Sequence, residues 1–156
     1  MFSDWEEKMK IITLGKKFVN KKHDFREMCF GICERNEQIL LTQKINKNEI
    51  SMVGGGVERG ETHEACLRRE FMEESGYSVE SIAEFCSVDC FWLAGGEWPM
   101  ESLAHFYLVT LSEKAVAPQE EGHEPLWVEI KDVEKLVLLP YQKEAIKQYL
   151  KFKAGC

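Results

Sequence analysis

Gly54-Gly55-Gly56-Val57-Glu58-Arg59-Gly60-Glu61-Thr62-His63-Glu64-Ala65-Cys66-Leu67-Arg68-Arg69-Glu70-Phe71-Met72-Glu73-Glu74-Ser75-Gly76-Tyr77 is the stretch on which the reading of this chain turns. Three consecutive glycines let the backbone approach a ligand closely and leave carbonyls unscreened by side chains. They are expected to end regular structure after the short apolar piece Ile50–Val53. From Thr62 the composition turns helical, with Thr62 at the N-cap position and Gly76 just past the end. At 100° per residue, Glu70, Glu73 and Glu74 then share one helix face. Three carboxylates that close repel one another, and their proton affinity rises unless a cation joins them. Mg2+, with Mn2+ as the alternative, answers that need, because both favour hard oxygen ligands and keep waters for substrate phosphates. Arg69 points about 100° away from Glu70 and is expected to brace the glycine loop, with Glu61 accepting its hydrogen bonds. A merely solvated acidic helix would also be rich in glutamate, but it has no use for the glycines and the arginine.

The spacing is itself a motif. Gly55, five residues, Glu61, seven residues and Arg69-Glu70-Phe71-Met72-Glu73-Glu74-Ser75-Gly76-Tyr77 match G-x5-E-x7-R-E-U-x-E-E-x-G-U without a gap, U being bulky and apolar. This is the Nudix box, and over residues 55–77 the chain resembles the Nudix hydrolases. The resemblance implies an α/β (α+β) fold, an α/β/α sandwich with a mixed β-sheet between helices. It implies that Glu70, Glu73 and Glu74 are the metal and base carboxylates, that the Gly54 carbonyl reaches a metal, and that Glu61 and Arg69 fix the loop against the helix. Glu121, six residues before Trp127, stands in a context similar to that of a late metal carboxylate in MutT-type members. Val53 departs from the proline common before the glycines, which leaves the turn less pre-set and removes no carboxylate.

The implied reaction is Mg2+-dependent hydrolysis of a nucleoside diphosphate linked to a further group, with Glu70 or Glu74 taking the proton of the attacking water. Leu93 occupies the place where the ADP-ribose group typically has proline, and Leu93-Ala94-Gly95 lacks the tyrosine of the diadenosine polyphosphate group. These absences favour MutT-like cleavage of a nucleoside triphosphate, oxidised purine nucleotides included. A sugar nucleotide, ADP-ribose or capped RNA is the alternative substrate, and a non-catalytic nucleotide-sensing module is the rival class. Trp92 and Trp98, on either side of Gly95-Gly96, are candidates for stacking on a base, and family analogy implies a homodimer through the N-terminal segment.

Outside the box, β-rich runs within Glu27–Gln43 flank a hairpin at Glu34–Gln38, and further strands are expected over Ile82–Cys90, Leu103–Leu111 and Trp127–Ile130. Phe91–Pro99 reads as a tryptophan-bearing loop, and Asp132 as the cap of a short helical turn. Pro140 is placed to open a last helix, 141–152, with an apolar stripe of Tyr141, Ala145, Ile146, Tyr149 and Leu150. Residues 1–26 carry seven Lys/Arg against four acids and read as a solvated, irregular or edge-strand lead-in.

The 156 residues suit a single domain spanning 1–156. A net charge of −7 argues against a protein that coats duplex DNA by neutralising phosphates. No apolar run approaches the roughly 18 residues of a membrane span, and no secretory leader pattern opens the chain, so a cytoplasmic protein with a small nucleotide as partner is expected. Cys29/Cys33 and Cys86/Cys90 lie four steps apart on expected strands, about 13 Å at roughly 3.3 Å per residue, so neither pair can share one ion. The expectation is reduced, buried thiols.

Overall fold

The structure, a computed structural model, describes residues 11–136 and 139–155. They run in the order β1 (Ile11–Leu14), β2 (Asp24–Ile32), β3 (Glu34–Arg35), β4 (Gln38–Lys44), β5 (Glu49–Gly56), α1 (His63–Ser75), β6 (Val79–Ala94), β7 (Trp98–Leu111), β8 (His123–Glu129), α2 (Ile130–Val133) and α3 (Pro140–Ala154).

Alternation within β2 sorts the molecule into layers. Met28, Phe30 and Ile32 face one side, with Met52, Val88, Phe106 and the α3 residues Tyr141, Ala145, Ile146 and Tyr149. Cys29 and Cys33 face the other, with Val53, Tyr107, Val109 and the α1 residues Cys66, Leu67 and Phe71. Both faces of the sheet are therefore covered, as period-two side chains on a central strand require. The sheet order is β1-β6-β7-β2-β5-β4-β3, with β8 added on β4. β2 runs parallel to β7 and antiparallel to β5, and β1 runs parallel to β6, so the sheet is mixed. This is the expected α/β/α sandwich.

α1 ends as its sequence dictates. Thr62 accepts a hydrogen bond from the Ala65 N–H at 3.1 Å. Gly76 takes φ 76°, and its N–H reaches the Phe71 and Met72 carbonyls, the left-handed stop that glycine adopts without steric penalty. Leu67 and Phe71 are fully buried beneath the helix, and truncating the phenylalanine to alanine is expected to cost about 3–5 kcal/mol. Pro140 opens α3 at its first position, and Tyr141, Ala145, Ile146 and Tyr149 are the buried stripe. Cys29, Cys33, Cys66, Cys86 and Cys90 are free and buried, as expected.

Several local expectations are corrected. The glycines do not end the strand: β5 continues through Gly56, because β2 pairs Phe30 with Gly54, Cys29 with Gly55 and Met28 with Gly56. Phe91–Pro99 is not a loop, since β6 and β7 stay paired to Ala94 and Trp98 and turn only at Gly95-Gly96-Glu97. The hairpin expected at Glu34–Gln38 does form, between β3 and β4 with Asn36 and Glu37 at positive φ, while β2 pairs elsewhere. Asp132 lies inside α2 and binds Lys135 Nζ at 3.3 Å; Glu129 holds the N-cap position. Within the basic lead-in, Ile11–Leu14 is an edge strand, but Asp24, Phe25 and Arg26 belong to central β2; residues 1–10 lie outside the described residues. Among the described residues no helix is long and apolar enough to cross a membrane.

Candidate active site

β5 delivers Gly54 and Gly55 to one end of α1, and the loop 57–62 returns the chain to the helix start. Arg69 holds this return. Its Nε donates to Glu61 Oε2 at 2.8 Å and its Nη2 to Glu61 Oε1 at 3.0 Å, while Nη2 also reaches the Gly56 carbonyl at 3.1 Å. Glu61 in turn accepts the Glu58 N–H at 3.0 Å. The forked bond from Arg69, more than any other contact, holds the Glu61 carboxyl down at about 2. The bracing pair expected from the sequence is thus formed. Arg69 does more than brace, however: Nη1 pairs with Glu70 at 2.9 Å and Glu73 at 3.3 Å.

Glu70 and Glu74 are 8% and 6% exposed, unusual burial for carboxylates. Burial raises the proton affinity of Glu74 first, and the hydrogen bond and charge of Glu70 raise it further; the Gly54 N–H, donating to Glu74 Oε2 at 3.4 Å, pulls the other way. Glu73 is raised as well, by burial and by the Glu70 charge, with Arg69 opposing. Gly54 adopts φ 150°, and a side chain there would strike the backbone of Cys29 and Phe30. Glu70 and Glu73 therefore meet at Arg69 and Glu74 lies against Gly54, while the oxygens of the three carboxylates do not all gather within 4.8 Å of one another. Two buried neighbouring carboxyls in an oxygen-only donor set repel when both are charged, and such a set fits a hard dication. Cys66 packs beneath the loop, its Sγ 3.8 Å and 3.6 Å from the Gly55 and Gly56 carbonyls.

Of the loop acids, Glu120 rather than Glu121 is the one set against the end of α1. The Glu120 N–H donates to the Glu73 carbonyl at 2.8 Å, and the Glu120 charge acts on both Glu73 and Glu74. Glu121 is exposed in the turn leading into β8.

Beside this cluster lies a cavity of about 610 Å³, walled by Gly54, Glu74, Ile50, Lys44, His123 and Lys135. The structure does not bring Trp92 or Trp98 to it. The long β6–β7 hairpin carries both away: Trp92 Nε1 donates to Ser102 Oγ at 2.9 Å, and Trp98, 60% exposed, donates to Asp24. Sequence reasoning missed the cavity's cations because no local motif marks them; only the pairing of β4 with β8 sets Lys44 opposite His123.

Comparison with known proteins gives the family. The NUDIX domain family matches residues 25–151. A Caenorhabditis elegans protein named as a nudix hydrolase is 29% identical over 136 residues, covering 82% of this chain and 36% of that protein. The mitochondrial Nudix hydrolase 13 of Arabidopsis thaliana is 24% identical over 133 residues, covering 78% of this chain and 63% of its own length. The chain thus spans about a third of one curated relative and less than two thirds of the other. The crystal structure of a MutT NUDIX hydrolase from Burkholderia pseudomallei superposes with a TM-score of 0.64 at 27% identity, covering 81% of this chain and 98% of that one.

Proposed function

The chain belongs to the NUDIX family, and from that premise we propose that it hydrolyses a phosphoric anhydride bond of a nucleoside diphosphate derivative. The preferred substrate in this reading is a nucleoside triphosphate, oxidised purine nucleotides included. One observation carries it: the buried Glu74, beside Gly54, borders a cavity whose wall also holds Lys44 and Lys135.

Glu70, Glu73, Glu74 and the Gly54 carbonyl would hold Mg2+, or Mn2+, with Glu120 in reserve as the late ligand. Bound there, the cation would neutralise phosphate oxygens and acidify a water. Glu70 or Glu74 accepts the proton of the attacking water. The water oxygen forms a new bond to phosphorus as the bridging P–O bond breaks, and the leaving phosphate departs with the electron pair. Lys44 and Lys135 meet phosphate charge, and Ile50, Leu136 and Leu139 offer an apolar wall to the base. Arg69 and Glu61 keep the loop and the carboxylates in register. The same reading takes the chain as one domain acting in the cytoplasm on a small nucleotide. A homodimer would be built through the N-terminal segment, and light scattering on the purified chain checks that mass.

The deciding experiment incubates the protein with Mg2+ and nucleoside triphosphates, sugar nucleotides, ADP-ribose and capped RNA, following release of phosphate and pyrophosphate. Turnover is expected with a triphosphate and is abolished by EDTA. Glu74→Gln should lower kcat by 100-fold or more with unchanged circular dichroism, about 2.7 kcal/mol of barrier. Saturable binding without turnover would overturn the reading in favour of a nucleotide sensor.

A further inference from the structure

His63 opens α1, but it is not the exposed first-turn residue its position suggests. It is half-buried over the α1 face of the sheet, where its ring lies 4.4 Å from that of His105 on β7. Both imidazoles turn Nε2 toward one carboxylate. His63 Nε2 is 2.9 Å from Glu27 Oε1, and His105 Nε2 is 3.8 Å from Glu27 Oε2. Both also commit Nδ1 to a hydroxyl: His63 to Tyr107 at 2.6 Å, His105 to Ser87 at 2.8 Å.

A carboxylate–imidazole hydrogen bond accounts for one of these histidines only, since 3.8 Å is too long for a hydrogen bond. Metal-ligating histidines characteristically anchor one ring nitrogen on an oxygen so that the other faces the ion. A cation would take the place of the Nε2 proton between His63 and Glu27: with each Nδ1–H donated to its hydroxyl, two Nε2 lone pairs and a carboxylate would converge on it. The three ligand atoms lie within 4.8 Å of one another. Ligands on a tetrahedral zinc, with bonds of about 2.0–2.1 Å, stand about 3.3 Å apart, a value between the two carboxylate separations seen here. A cavity of about 190 Å³ bordered by His63, Ser87, His105 and Tyr107 leaves room for entry and for a water in the remaining position.

We propose that Glu27, His63 and His105 form a second cation site, for Zn2+, distinct from the oxygen-only glutamate cluster. Donor chemistry separates the two: imidazole suits zinc, whereas Mg2+ favours carboxylate, carbonyl and water. The ion would join β2, β7 and the first residue of α1. Because the Glu27 carbonyl already accepts the Val57 N–H at 2.9 Å, it would fix the loop 57–62 at both ends.

The test uses the full chain stripped of metal and titrated with Zn2+ in excess Mg2+, which occupies the glutamates. Calorimetry is expected to show one zinc per chain and thermal denaturation a raised Tm. Imidazole nitrogen NMR should show zinc-dependent shifts of two Nε2 resonances. Glu27→Gln and His105→Gln should each weaken zinc binding tenfold or more, whereas Glu73→Gln should leave it in place. Imidazole resonances indifferent to Zn2+ in the unsubstituted protein would overturn the site, whatever the variants do. Equal zinc affinity in folded His105→Gln would overturn it too.

Discussion

A Cβ on Gly55 would stand 2.7 Å from Oε1 of Glu70, so the middle glycine of the run and the first box carboxylate of α1 compete for one space. Only a glycine hydrogen leaves that oxygen where it is. The contact is closer than real Cβ atoms tolerate, and the Glu70 side chain must yield.

Gly55→Ala is therefore expected to lower kcat tenfold or more while the fold persists. Steady-state kinetics on the best nucleotide, beside circular dichroism, check this. Activity equal to the parent would mean that Glu70 need not hold this position.

Glu61→Gln should destabilise the protein at neutral pH, because Arg69 then keeps a partner of the right shape without its charge. The loss of charge-assisted hydrogen bonds is worth about 1.5–3 kcal/mol. In the parent, the folded Glu61 carboxyl is depressed from 4.5 to about 2, so this stabilisation is complete above about pH 4.5 and is lost as pH falls toward 2. Urea midpoints measured between pH 5 and pH 2 (about the span of that shift) should fall more steeply in the parent than in the variant. Parallel pH profiles would remove the pair from the stability of the loop.

Glu120→Gln should raise the Mg2+ concentration needed for half-maximal rate, and Glu121→Gln should leave it unchanged. The motive is the Glu120 charge acting on Glu73 and Glu74. Metal titrations of both variants check the register, and an effect confined to Glu121 would restore the assignment made from sequence.

Lys44→Ala and Lys135→Ala should each raise KM several-fold with kcat little changed, the pattern of lost uniform binding. Trp98→Ala should alter neither constant, since Trp98 lies away from the cavity that these lysines line. A raised KM in Trp98→Ala alone would move the nucleoside to the β6–β7 hairpin.

How much was legible in the sequence follows from how local the cause is. Thr62 and Gly76 bound α1, and Arg69 meets Glu61, through contacts spanning at most about two helical turns; spacing alone could place them. The glycines misled because their conformation is set by β2, which holds them in the sheet from more than twenty residues away. Trp92 and Trp98 misled because two glycines suffice for a tight turn, leaving both on strands. His105, Lys44 and Lys135 carry no local signature at all; only tertiary pairing gives them neighbours. Val116, by contrast, is exposed and would have drawn no attention from any pattern.

Yet the segment from Val116 to Glu120 is strapped to the end of α1 entirely through main-chain atoms: Val116 N–H to the Gly76 carbonyl, Gln119 N–H to Met72 and Glu120 N–H to Glu73. Straps of this kind are blind to side-chain identity, so the segment works as a ruler. Exchanges at 117 and 119 that keep the Gln119 N–H are expected to leave the acid in place, whereas removing one residue is expected to bring Glu121 to the Glu73 carbonyl in place of Glu120. Which glutamate faces the helix is thus recorded in the length of the loop, and drift in its composition leaves that record intact.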